Sequence, residues 1–66
     1  MIALEQKCQR PGLWHIEGYQ VIRHRRRGRA YWGIYETTPT EDGGRTLRHL
    51  ARSLGEARAW VRDEVA

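Results

Sequence analysis

Aromatic and β-branched residues are spread through the middle of this chain in two runs, residues 14–25 and residues 29–37, and both runs predict strands. Between them lies Arg26-Arg27-Gly28. Glycine readily adopts the left-handed backbone conformation, so this segment predicts a bulged three-residue loop. We therefore expect an antiparallel hairpin at the centre of the fold.

A third strand is predicted over residues 45–51, after a loop over residues 39–44 that is rich in proline, aspartate and glycine. Its alternation is irregular; we expect Leu47 to face inward and Arg48 outward. Pro11-Gly12 interrupts any element that precedes it. Residues 1–12 are therefore interpreted as an N-terminal tail or short element, and residues 13–66 as a single domain.

A C-terminal helix is the clearest element. Ser53 and Glu56 have the spacing of a capping box, in which the serine hydroxyl caps the first turn and the glutamate bonds back to the serine amide. Apolar residues then recur at helical spacing: Leu54, Ala57, Trp60, Val61 and Val65. The predicted fold is α+β, a three-stranded antiparallel sheet packed on one face by this helix (βββα).

Strict alternation along each strand predicts which side chains face the helix. In the first strand it assigns Trp14, Ile16 and Ile22 to the core and turns Tyr19 and Val21 outward. In the second strand it assigns Ala30, Trp32 and Ile34 to the core. The opposite face is then a single surface of arginine and tyrosine, made of Arg23, Arg25, Arg29, Tyr31 and Tyr35.

Positive charge is concentrated in one place. Residues 18–33 carry five arginines and no acid, whereas the whole chain of 66 residues has a net charge of +4. Cys8 is the only cysteine, so no disulfide within the chain is available. The histidines and Cys8 lack zinc spacing, and no cofactor motif is present, so we expect neither a metal nor a cofactor. Without an apolar stretch of about 20 residues or a signal peptide, we expect a cytoplasmic, non-secreted protein with no membrane contact.

Basic strands that also carry aromatic side chains are typical of nucleic-acid binding. Arginine binds phosphate and guanine edges in a bidentate manner, and a two- or three-stranded ribbon fits the major groove. Cys8 has no visible base or oxyanion pocket, so we expect no enzymatic activity. The sequence thus predicts a small regulatory or accessory protein, of a phage or mobile element, that binds duplex DNA. The predicted contact residues are Arg23, Arg25, Arg26, Arg27, Arg29, Tyr31, Tyr35, Arg45 and Arg48.

Other interpretations of the same residues stay open. The arginines fit an acidic protein partner, with Tyr31, Tyr35 and Trp14 as anchors, as in a phage-type modulator of a host protein. Stacking on the two tyrosines would favour single-stranded RNA. The arginine hairpin could also be simply a solvated surface. An exposed third strand would allow a homodimer.

The segment from Val21 to Arg29 and the residues that follow it to Glu36 resemble two known groups of DNA-binding domains. These are the plant APETALA2-type domain and the arm-binding N-terminal domains of phage and transposon tyrosine recombinases. Residues 53–60 resemble the helix of the plant family. The resemblance covers residues 18–61 and implies three strands plus a helix, with Arg23, Arg25, Arg27, Tyr35 and Arg45 facing the DNA groove. His49-Leu50-Ala51-Arg52 replaces the family's Leu-Gly-Thr-Phe segment.

Overall fold

The computed structural model describes residues 4–66 of the chain. These residues form five strands and a helix, in the order β1 (Gln6–Arg10), β2 (Leu13–Ile16), β3 (Tyr19–Arg26), β4 (Arg29–Glu36), β5 (Leu47–Ala51) and α1 (Leu54–Val65). The strands make one antiparallel sheet in which each strand pairs with the next one along the chain. The α+β class and the C-terminal helix are confirmed, but the prediction of a three-stranded sheet is wrong.

The first additional strand, β1, lies in the segment interpreted as a tail or short element. Its sequence, Gln-Lys-Cys-Gln-Arg, has no alternation of apolar and polar residues that would predict a strand, and all its side chains are exposed. The β1 backbone instead pairs with β2, beginning at Gln6 opposite Ile16 and ending at Arg10 opposite Leu13 across the Pro11-Gly12 turn. Residues 1–3 of that predicted segment lie outside the described residues.

The second additional strand arises because residues 14–25, predicted as one strand, belong to two strands, β2 and β3. Glu17 and Gly18 both have positive φ angles, 49° and 84°, and form a two-residue turn between β2 and β3. Positive φ at both central positions matches the right-handed twist of a hairpin. Ile16 therefore pairs with Tyr19, and both side chains lie on the same face of the sheet.

This turn reverses the predicted faces of β3. Counting continuously from Ile16 assigns Ile22 to the core, whereas the register aligns Val21 with Ile34 and buries both completely. Ile22 lies half-buried on the opposite face. The predicted core positions of Ile16 and Ile34 are confirmed, and Trp14 and Trp32 pack against the core partly buried. The assignments of Val21, Tyr19 and Ile22 are wrong, and so is that of Ala30, which is exposed.

Helix α1 begins as predicted at Ser53, whose hydroxyl accepts a hydrogen bond from the Glu56 amide at 3.1 Å. The Glu56 carboxylate accepts from the Arg52 amide at 3.2 Å, one residue before the expected Ser53 amide. The N-terminal cap is thus confirmed, with a shifted second bond. It starts the helix directly after β5, so that the helix packs back onto the sheet.

The core lies between one face of the sheet and α1. Its buried members are Ile16, Val21, Ile34, Ala51, Ala57 and Val61. Trp60 packs at the margin of this core, edge-on to Tyr19 with ring centroids 5.7 Å apart and stacked on His49 at 5.4 Å. The helix covers one face of the sheet. On the other face, which we call the open face, no helix or strand of the described residues is packed.

The predicted orientations of Leu47 and Arg48 are also reversed. The register between β4 and β5 shifts: Ile34 pairs with His49, but Tyr35 pairs with Leu47, which makes Arg48 the extra residue of a bulge. Leu47 lies beside Tyr35 on the open face and is 46% exposed. Arg48 is turned to the helix side, toward Glu64.

Replacing Ser53 with alanine removes the acceptor for the Glu56 amide. We expect Ser53→Ala to lower the free energy of unfolding by about 1 kcal/mol, the usual cost of losing such a cap. Urea denaturation followed by circular dichroism measures this loss. Ser53→Asp, which keeps a capping oxygen, should retain most of the stability; equal losses in the two variants would contradict the capping role.

Two isoleucine-to-valine substitutions test the faces of the sheet. Ile34→Val removes a methyl group from the buried core and should cost about 0.5–1.5 kcal/mol. Ile22→Val removes the same group from the open face and should change stability by less than about 0.5 kcal/mol. Urea denaturation of both variants compares them directly. A larger loss of unfolding free energy in the Ile22 variant would contradict the assignment of the core to the helix side of the sheet.

Candidate nucleic-acid interface

Strands β3 and β4 are longer than their neighbours, and their outer halves extend beyond the sheet. The last pair between β2 and β3 is Leu13 with Ile22, and the last pair between β4 and β5 is Trp32 with Ala51. Beyond these pairs, residues 23–31 form a two-stranded hairpin with which no other strand of residues 4–66 pairs. We call this segment the arginine ribbon, because it holds all five clustered arginines.

The tip of the arginine ribbon is a tight turn. Arg26 pairs with Arg29, which leaves Arg27 and Gly28 as a two-residue loop with φ angles of 53° and 77°. The loop therefore differs from the predicted three-residue bulge. A positive φ is unfavourable for a residue with a side chain. Arg27 adopts it because the turn requires it at both central positions, and this places the arginine at the extreme end of the molecule.

The register divides the other four arginines between the two faces of the ribbon. Arg23 and Arg25 lie on the side of Val21 and the helix, since they continue its alternation. Arg26 and Arg29 lie opposite each other on the open face. The predicted single surface of Arg23, Arg25, Arg29, Tyr31 and Tyr35 is therefore wrong: the first two point away from the others.

The open face carries an aromatic cluster at the base of the arginine ribbon. His24 stacks on Tyr31, with ring centroids 5.2 Å apart and planes inclined by 25°. His24 Nε2 is also 3.0 Å from the Tyr35 hydroxyl. The Tyr35 ring lies over Gly33, where a Cβ atom would come within 2.8 Å of it. The absence of a side chain at Gly33 thus allows Tyr35 to reach His24.

His24 is absent from the predicted contact residues, although it lies within this cluster. Its position opposite Tyr31 follows from the hairpin register. Alternation correctly predicts that Tyr31 and Tyr35 share a face, but Tyr35 lies across the sheet, where its hydroxyl contacts the histidine. Of the two tyrosines, Tyr31 is the one next to the arginines, and it lines a groove with Arg26, Arg27 and Arg29.

Arg48 lies away from this surface and is held by two carboxylates. It donates a hydrogen bond to Glu36 at 2.6 Å, and its second terminal nitrogen is 3.7 Å from Glu64. The hydrogen bond to Glu36 is the main cause that raises the pKa of Arg48 above its ordinary value. Its charge is therefore paired within the fold, and its orientation toward the helix side is opposite to the predicted one.

Arg45 precedes β5 and lies in the loop that follows β4. It lines a second groove, beside the Pro11-Gly12 turn, together with Arg10, Ile22 and Arg23. This groove lies beside the base of the arginine ribbon rather than at its tip. Arg45 and Arg10 therefore extend the positive surface away from the hairpin turn.

Charges are separated along the long direction of β3 and β4. The arginine ribbon occupies one end, and within residues 4–66 the ion pairs join only Arg48 to Glu36 and Glu64. Glu36 pairs with Tyr19 at the far end of the hairpin, and Glu17 lies in the adjacent turn. The end of the hairpin that carries the arginine ribbon is therefore positive, and the acidic side chains of Glu17 and Glu36 lie at the opposite end.

In the described part of the chain, no three His, Cys, Asp or Glu side chains converge in a way that could hold a metal ion. The helix of residues 54–65 is too short and too polar to cross a membrane. Compared with known proteins, the chain matches no protein-family model, no curated protein and no solved structure.

Proposed function

We propose that this protein is a small, non-enzymatic DNA-binding protein that acts in the cytoplasm as an accessory or regulatory factor. Its contact surface for duplex DNA is the arginine ribbon. The observation that carries this proposal is the position of the five arginines on a hairpin that projects beyond the sheet. A concentrated charge of this sign attracts the phosphate backbone, which dominates affinity for DNA.

The shape of the arginine ribbon supports a duplex as the target. The major groove of B-form DNA is about 12 Å wide and admits a two-stranded ribbon. Arginines on both faces and at the tip reach the phosphates on either side of such a groove, and each guanidinium binds two phosphate oxygens at once. The proposed phosphate contacts are Arg23, Arg25, Arg26, Arg27 and Arg29.

Electrostatic repulsion within the ribbon also favours an anionic ligand. Arg26 and Arg29 are direct cross-strand neighbours on one face. Like charges in this position destabilise a hairpin, by up to about 1 kcal/mol on the scale of cross-strand pairs. A phosphate placed between the two side chains removes this repulsion, so the arrangement is more stable with bound nucleic acid than without it.

A protein partner is the second candidate function. Leu47 and Leu50 are 46% and 52% exposed on the open face, close to Tyr35 and Gly33. An apolar centre next to arginines is typical of a protein interface, and here the complementary partner would be acidic. Trp14 is no anchor in this version, since it lies on the helix side, where the Arg58 guanidinium is 4.9 Å from its ring centroid.

Salt dependence separates the two functions. If the arginine ribbon neutralises four or five phosphates, log K plotted against log salt falls with a slope near −4, because each contact contributes about 0.9. Fluorescence anisotropy with a labelled random-sequence duplex, between about 50 and 200 mM salt, measures this slope. Absence of binding at the lowest salt would overturn the proposal and leave the acidic protein partner.

Matched double substitutions test the location of the contact. Arg25→Ala/Arg27→Ala removes two charges from the ribbon and should reduce the steepness of the slope by about 2. Lys7→Ala/Arg62→Ala removes two charges from β1 and from the last turn of α1, both distant from the tip. This control should keep the wild-type slope. Equal changes in the two variants would show a general charge effect instead of a ribbon site.

A further inference from the structure

A shallow groove on the open face separates the arginine ribbon from the end of β5. Its lining residues are Arg26, Tyr31, Leu50, Ala51 and Arg52. The cavity volume is about 380 Å³, within the range of pockets that bind small ligands. Two arginines and no acid line the groove, and an aromatic ring and a leucine supply its apolar surface. We call it the Tyr31 groove.

The Tyr31 ring can accept a second planar group. Its neighbour His24 is on β3, and β4 lies between β3 and β5. The side of the ring turned away from the histidine therefore faces β5. Leu50 of β5 pairs with Gly33, over which the Tyr35 ring lies, and Leu50 remains 52% exposed. Tyr31 and Leu50 both line the groove, so a flat ring bound in it contacts both side chains.

The charges around the Tyr31 groove match a nucleotide. Arg26 and Arg52 lie on its lining, where they are available to a phosphate attached to a bound base. Tyr31 and Arg26 also line the neighbouring groove with Arg27 and Arg29. The phosphates that follow such a nucleotide along its strand would therefore pass next to further guanidinium groups.

We propose that the Tyr31 groove binds one unpaired nucleotide of a single-stranded DNA segment next to the duplex. The base stacks on Tyr31 and contacts Leu50, and its phosphate binds Arg26 and Arg52. This inference rests on the proposed function, since the arginine ribbon holds the adjoining duplex. Bases within a duplex are already stacked between their neighbours, so the groove selects DNA that has an unpaired base.

The test compares a blunt duplex with the same duplex carrying a single-stranded extension of about four nucleotides. A third probe carries an abasic extension, which has the same phosphates but no bases. We expect the wild-type protein to bind the natural extension about tenfold more tightly than the blunt duplex, the usual contribution of one stacked base. The abasic extension should give little of this gain.

Matched substitutions locate the base. Tyr31→Ala and Leu50→Ala should both lose the tenfold gain, each relative to its own affinity for the blunt duplex. Leu50 lies outside the arginine ribbon, so Leu50→Ala should also keep the wild-type affinity for the blunt duplex. Leu47→Ala is the control, since Leu47 is an equally exposed leucine of β5 outside the groove. It should keep the gain. If Tyr31→Ala unfolds the ribbon locally, Leu50→Ala and the abasic probe still test the site, because neither changes a residue of the ribbon.

The outcomes distinguish the two proposals. A wild-type protein that binds none of the three probes overturns the proposed function and this inference together. Equal affinity for the blunt and extended duplexes leaves the proposed function standing and overturns the Tyr31 groove as a nucleotide site. A gain that persists with the abasic extension, or in both the Tyr31 and the Leu50 variants, also overturns it.

Discussion

The pairing of β3 with β4 is the constraint on which the rest of this structure depends. The ladder runs without a break from Tyr19 opposite Glu36 to Arg26 opposite Arg29. The neighbouring strands β2 and β5 pair only with its inner half. The two-residue turn at its end fixes the register, and the register decides which side chains face the helix. Because β2 and β5 are shorter, no other strand of residues 4–66 pairs with the outer half of the hairpin. The projecting arginine ribbon is thus a consequence of unequal strand lengths.

This architecture separates stability from charge. The core is small, and its buried members lie where the helix covers the inner half of the hairpin. Arginines near that core are paired or packed: Arg48 with Glu36 and Glu64, and Arg58 against Trp14 with a hydrogen bond to Gln6. The arginines of the ribbon lie outside this region. Substitutions at the ribbon tip should therefore affect binding without affecting the core, which makes the proposed interface accessible to mutagenesis.

The sequence predicted those elements that have a local sequence signal. The predictions failed where the structure depends on strand pairing, register or tertiary contacts. Ser53 and the apolar spacing after it predicted the helix, and the aromatic runs predicted the central hairpin. Strand β1 has no apolar alternation and is held by backbone pairing, so its composition gave no indication of it.

The prediction of one continuous strand over residues 14–25 did not include the Glu17-Gly18 turn, although a residue followed by glycine between apolar residues is a hairpin signal. Treating these residues as one strand therefore assigned Arg23 and Arg25 to the wrong face of the sheet. The bulge at Arg48 depends on tertiary contacts, and no local pattern predicts it. The arginine cluster was visible from charge alone; its division between two faces required the register.

The central claim is that the arginine ribbon contacts DNA and the rest of the fold supports it. Amide and arginine side-chain NMR spectra of the isotope-labelled protein, recorded during titration with a random-sequence duplex, test this most directly. The account predicts that the largest shift changes fall on residues 23–31, and that the guanidinium signals of Arg48 and Arg58 stay in place. Shift changes centred on α1 or on β1, with the ribbon signals unmoved, would contradict it.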